Sequence, residues 1–129
     1  MVPKPPKQKH NRRGQQAEAL ASVWLQSQGY ELLTHNYRCR TGEIDIVAMD
    51  GDVLVFIEVR SLSRRPTEEA LSSIHHKKQQ RLQKAAQHYL AFQADNLLDP
   101  EIRFDVLGVS FRTEHDIECQ LLKGALFPF

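Results

Sequence analysis

The stretch GEIDIVAMDGDVLVFIEVR, residues 42–60, decides the fold. Its first half alternates: on an extended chain Ile44, Ile46 and Ala48 point one way and Glu43, Asp45 and Val47 the other. Its second half does the same, with Val55, Ile57 and Val59 on one side and Phe56, Glu58 and Arg60 on the other. Between them Asp50-Gly51-Asp52 is a strong hairpin signal, because glycine and aspartate accept the backbone angles of tight turns. A turn on Gly51-Asp52 sets Asp45 directly opposite Glu58, and a turn on Asp50-Gly51 makes the two diagonal neighbours. A three-residue turn would put them on different sides.

Working outward, Ala17, Leu20, Ala21, Trp24 and Leu25 recur at three- and four-residue steps, which predicts an amphipathic helix from Gly14 to Gln28 that Gly29 terminates. Tyr30 to Cys39 reads as a strand ahead of Glu43 to Met49 and Val53 to Arg60. After a polar stretch from Ser61 to Pro66, Thr67 with Glu68 and Glu69 opens a helix running to about Ala94, with a break near Ser72-Ser73. Its apolar stripe is Leu82, Ala85, Ala86, Tyr89 and Leu90. Ile102 to Phe111 is a further strand and Ile117 to Leu122 a shorter last one. The expected order, α-β-β-β-α-β with a short final β, buries these stripes most simply as a mixed α/β sheet with a helix on each face.

The 129 residues suit one domain, and 41% apolar with 26% charged residues is the composition of an ordinary globular protein. The longest apolar run, Val53 to Ile57, is far too short to cross a bilayer, and no apolar stretch follows the basic start as a secretory signal requires. A cytoplasmic protein without membrane contact is expected. Cys39 and Cys119 lie far apart with no ligand spacing, so neither a zinc knuckle nor a disulfide framework is indicated. The net charge of +1 hides segregation: residues 1–13 hold five cations and no acid, leaving 12 basic and 16 acidic groups in the other 116. With Pro3, Pro5 and Pro6 opposing regular structure, residues 1–13 read as a flexible basic arm, a tether for polyphosphate or simply a solubilising tail, ahead of one domain over 14–129.

Asp45 and Glu58 carry the candidate chemistry. Carboxylates about 5 Å apart repel by roughly 3 kcal/mol at an effective dielectric near 20, so something positive belongs between them. Mg²⁺ suits such a site, since it accepts a few carboxylates, a carbonyl and waters, polarises a phosphodiester and acidifies a water. Arg60, on the Glu58 side of its strand, is placed to offset charge in the transition state. The same spacing also fits the polar face of a solvated hairpin, with Arg60 merely neutralising Glu58.

These residues resemble the PD-(D/E)XK nuclease superfamily, whose restriction-endonuclease-like αβββαβ core carries an acid on its second strand and E-x-K on its third. They are more narrowly similar to the small bacterial YraN family of endonuclease-like proteins, related to Holliday junction resolvases. The matching pattern covers nearly the whole chain: Gly14, Glu18, Ala21, Leu25, Gly29-Tyr30, Asn36 and Arg38, then residues 42–48 and 56–60, Lys78, Leu82, Ala86, Tyr89-Leu90 and residues 103–106. The resemblance implies Asp45 and Glu58 as ligands of Mg²⁺ or Mn²⁺, the Val59 carbonyl as a third, and Glu18 as the first-helix acid that some relatives add. It implies Lys78 facing the active centre, DNA as substrate, branched DNA included, and a homodimer. Arg12 and Arg13 in the arm, and Arg64 and Arg65 in the loop, are then the backbone-gripping groups, while Lys77, Arg81 and Lys84 are open either as a phosphate-binding face or as plain solvated charges.

One departure stands out. The superfamily has lysine where this chain has Arg60, and a guanidinium cannot give up its proton near neutral pH. A nucleic-acid-binding protein that keeps the fold with little or no catalysis is therefore the competing expectation, and a protein-interaction module with purely superficial carboxylates is a third. His75 and His76, adjacent and splayed on a helix, read as helix-start residues, and Trp24 and Phe104 as core.

Overall fold

The structure, a computed structural model, describes residues 8–62, 74–94, 97, 99–113 and 115–126. In chain order come α1 (Gln8–Ser27), β1 (Glu31–Cys39), β2 (Gly42–Asp50), β3 (Val53–Leu62), α2 (His76–Phe92), β4 (Glu101–Thr113) and β5 (Asp116–Leu122). The expected α/β order is found, in one mixed sheet ordered β1-β2-β3-β4-β5. Only β3 and β4 pair in parallel. Parallel neighbours need a long return connection, and here it runs from residue 63 to 100 and contains α2.

Because successive strand residues face opposite ways, β3 splits its apolar groups between two cores. Val55 and Ile57 pack with Ala17, Ala21 and Leu25 of α1, and with Leu107 and Val109 of β4. Leu54 and Phe56 pack on the other face with Leu82, Ala85, Ala86 and Tyr89 of α2, the stripe expected from helical spacing. Phe56 anchors that layer, its ring centroid 5.2 Å from Phe104 and 5.8 Å from Tyr89. No helix among the described residues is long and apolar enough to cross a membrane.

Two expectations need correction. The first helix starts at Gln8 rather than Gly14. Residues 8–13 contain no helix breaker once the prolines are passed, so Arg12 and Arg13 stand on α1 and not in a flexible arm. The Arg13 guanidinium lies 4.8 Å from the Phe111 ring centroid, which ties these first turns to β4. Residues 1–7, the arginines Arg64 and Arg65, and the helix start at Thr67 lie outside the described residues.

The second concerns the alternation in β2. Ile46 and Ala48 face α1 as one set, whereas Ile44 joins Val47 in the core under α2. The β2–β3 register runs from Asp50↔Val53 to Ile46↔Ile57 and goes no further. Residues 42–45, paired only with β1, are thus free to rotate out of the plane that β3 imposes. At the start of this free segment the chain passes so close to α2 that a Cβ on Gly42 would overlap the Arg81 carbonyl.

Candidate active site

The hairpin decides the register. Asp50 pairs with Val53, so the turn occupies Gly51-Asp52, with Gly51 at φ +62° where a left-handed residue is required. Asp45 lies one step beyond the last registered pair, Ile46↔Ile57, and turns its side chain toward β3. The backbone N–H of Val59 donates to Asp45 Oδ2 at 2.8 Å. In an antiparallel ladder a residue's N–H and C=O point to the same neighbour, so the Val59 carbonyl also faces β2, beyond the registered pairs.

Glu58 is nearly fully buried, 2% exposed, on the α2 side of the sheet. Lys78, from the first turn of α2, brings Nζ to 2.8 Å from Glu58 Oε2. The approach is off hydrogen-bonding geometry, and Oε2 has no aligned donor among the described residues. Burial pushes the Glu58 carboxyl up to about 7, the negative charge of Asp45 adds to the rise, and Lys78 opposes it. Asp45 is raised as well, again mainly by burial, with the Val59 N–H and the Lys78 charge working against it. Both carboxyls are thus held above their ordinary values and act on one another, Asp45 being among the causes that raise Glu58.

Glu18 approaches from the α1 side. Its carboxyl is raised by partial burial and next by the charge of Asp45, while a hydrogen bond from Asn36 and the Arg38 charge lower it. Asn36 makes that contact from β1 at φ +52°, a left-handed conformation that asparagine tolerates better than most residues. Among the described residues no group of three or more His, Cys, Asp or Glu converges as a metal cage. Asp45 and Glu58 thus form the close pair, with Glu18 an electrostatic neighbour.

A cavity of about 290 Å³ opens at Glu58, lined by Glu43, His75, Lys77, Lys78 and Arg81. Four of those five side chains are basic or become so on protonation. Arg60 is half-buried two residues after Glu58, beside Gly108 of β4, and the cation paired to Glu58 is Lys78 instead. His75 takes the helix-start role expected of it, Nδ1 accepting from the Lys77 N–H at 3.3 Å.

The sequence reading brought out Asp45, Glu58 and Lys78, and underestimated Glu43. Glu43 lies 3.9 Å from Arg38 across the β1–β2 pair and 3.5 Å from Arg81 of α2, bridging hairpin and helix. The tight Arg40-Thr41 turn, closed by the Cys39↔Gly42 pair, sets Arg38 across from Glu43; nothing local signals the second contact. Asp105, fully buried, accepts two bonds from Arg103 at 2.9 Å and one from the Gly124 N–H at 2.8 Å. It serves this structural network, and among the described residues no hydrogen bond or ion pair links it to Asp45 or Glu58.

Comparison with known proteins adds a family. Residues 17–109 match the model described as Uncharacterised protein family UPF0102. A UPF0102 protein of Nitrosococcus oceani is 45% identical over 101 residues, 78% of this chain and 81% of its own length. One from Moorella thermoacetica is 42% identical over 115 residues, 88% of this chain and 94% of its own. One from Chlorobium chlorochromatii is 40% identical over 103 residues, 80% and 78% of the two chains.

Proposed function

The chain belongs to the UPF0102 family, and on that premise we propose that it is a metal-dependent endonuclease of the PD-(D/E)XK, YraN-like kind, hydrolysing DNA phosphodiester bonds. One observation carries the reading: the buried carboxylate of Glu58, the half-buried one of Asp45 and a lysine converge, and the buried oxygen Glu58 Oε2 has no aligned donor among the described residues. Burying an oxygen whose close cation is a half-exposed lysine out of hydrogen-bond alignment costs free energy that a better-placed cation would recover. A divalent cation fits it. The donors on offer, Asp45, Glu58 and the Val59 carbonyl, are all hard oxygens of the type Mg²⁺ or Mn²⁺ selects.

When bound, the ion supplies Lewis-acid polarisation of the phosphodiester and acidifies a water. The chain's own groups do the rest. Lys78 is half-exposed on a flexible stem, so it can leave Glu58 Oε2 and meet a phosphate at the cavity mouth. That exchange gives Lys78 the position of the superfamily's strand lysine, while Arg60 holds a non-bridging oxygen with its fixed fork of donors. Glu18 of α1, its carboxyl raised by partial burial and by the charge of Asp45, adds a further acid. Burial at the end of β3 strengthens every one of these charge contacts over its value in water. The same reading puts the protein in the cytoplasm and, through its kinship with resolvases, makes it a homodimer acting on branched DNA.

The test is cleavage of linear and branched DNA with Mg²⁺ or Mn²⁺, beside calorimetry of metal binding. Asp45→Ala should lose cleavage and most of the metal heat together. A variant that binds metal like the parent, or cuts as fast, overturns the reading. Arg60 in place of the motif lysine favours a second outcome, binding without turnover: a parent that holds DNA with steep salt dependence yet cuts nothing under either metal would establish it.

A further inference from the structure

Helix α2 carries Lys77, Lys78, Arg81 and Lys84 and no acidic residue over its 17 positions. Lys77, Arg81 and Lys84 recur at steps of four and three, so they share one stripe, and all three are exposed. Like charges at those spacings repel, and Lys77 and Lys78 also sit at the helix N-terminus, the end where the peptide dipoles disfavour cations. An ordinary solvated helix intersperses both signs. This one keeps a one-sided charge that opposes its own folding.

The stripe does not stand alone. Glu43 draws Arg38 to 3.9 Å and Arg81 to 3.5 Å, which joins the exposed end of β1, with Arg38, and the following turn, with the exposed Arg40, to the face of α2. Lys77 and Arg81 also line the cavity at Glu58. The positive surface is therefore continuous from the buried carboxylate pair outward along the helix, for about 10 Å between Lys77 and Lys84.

We propose that Arg38, Arg40, Lys77, Arg81 and Lys84 form a track for the phosphodiester backbone leading away from the bond that is cut, with Glu43 as the residue that positions its two arginines. This rests on the nuclease reading for the location of the cut bond. It assigns backbone binding chiefly to α2 and the β1–β2 hairpin rather than to Arg12 and Arg13 of α1. The repulsion along the stripe is then the counterpart of affinity for a polyanion.

The experiment measures duplex binding by fluorescence anisotropy in the Asp45→Ala background without metal, from 50 to 300 mM salt. Each lost phosphate contact flattens the slope of log K against log salt by about 0.9, so Lys77→Gln/Arg81→Gln/Lys84→Gln should flatten it by about 2.7. Affinity at about 100 mM salt should fall at least tenfold. Glu43→Gln should weaken binding less, through loosened arginines, and Arg12→Gln/Arg13→Gln should change the slope by less than the triple variant does. The triple variant should melt no lower than its parent, since it relieves repulsion; if it fails to fold, single Gln variants read the same slope one contact at a time. A slope altered by less than about one unit in the triple variant, or a larger loss from the α1 pair, overturns the proposal. The nuclease reading fails separately: a parent that never cleaves but shows the predicted slopes leaves the track standing.

Discussion

Replacing Glu58 by glutamine tests the buried pair without asking for turnover. The folded-state carboxyl titrates at about 7 against an ordinary value of 4.5. A raised acid holds its proton more tightly in the folded than in the unfolded chain. Stability is therefore greatest below about pH 4.5 and falls as pH rises through the folded value near 7, after which the loss is complete. The interval corresponds to about 3 kcal/mol at most, shared with Asp45 because the two carboxyls interact. In urea unfolding followed by the single tryptophan, Trp24, which packs at the edge of the α1 core, the metal-free parent should lose about 1–3 kcal/mol between pH 5 and pH 8. Glu58→Gln should flatten that slope. Mg²⁺ at a hundred times its dissociation constant should return about 2.7 kcal/mol to the parent at pH 8 and much less to the variant. A parent whose stability is level from pH 5 to 8, or a variant that gains as much from Mg²⁺, refutes the reasoning about this pair.

Three further outcomes follow from the geometry. Lys78→Met keeps the length of the side chain and removes its charge, so single-turnover cleavage should drop about 10²–10³-fold while calorimetry still detects Mg²⁺. Gly42→Ala forces a methyl into the Arg81 carbonyl, and chemical denaturation should report a loss of about 1–3 kcal/mol as α2 is pushed from β2. Arg103→Met leaves the fully buried Asp105 without its paired cation; thermal unfolding should show a loss of about 3–5 kcal/mol, with Mg²⁺ affinity at 15–20 °C unchanged because Arg103 pairs with Asp105 and Asp50 and not with Glu58.

The strands were legible because period-two alternation is written in local residues, and the Asp50-Gly51-Asp52 turn narrowed the pairing of β2 and β3 to two registers. Choosing between them was not possible from the chain alone, since both turns accept the same residues. The departure of Ile44 was invisible for a different reason: Ile44, Ile46 and Ala48 alternate without a flaw. What turns Ile44 over is the end of the β3 ladder and the press of α2 on Gly42, both tertiary. Lys78 was found through resemblance, because the rotation of a helix over a sheet is set by packing far along the sequence. The early start of α1 was masked by the prolines before it, whose effect on regular structure was carried too far down the chain. The role of Glu43 was not legible because its second partner, Arg81, lies 38 positions away.

The parallel pairing of β3 with β4 has a temporal consequence. Residues 42–60 hold both carboxylates, yet Glu58 is flanked by Val106, which leaves the ribosome 48 residues later. Until that strand arrives, Glu58 lacks one wall of the burial that raises its carboxyl. On the proposed reading, the site that would hold the metal is therefore complete only after β4 has been made.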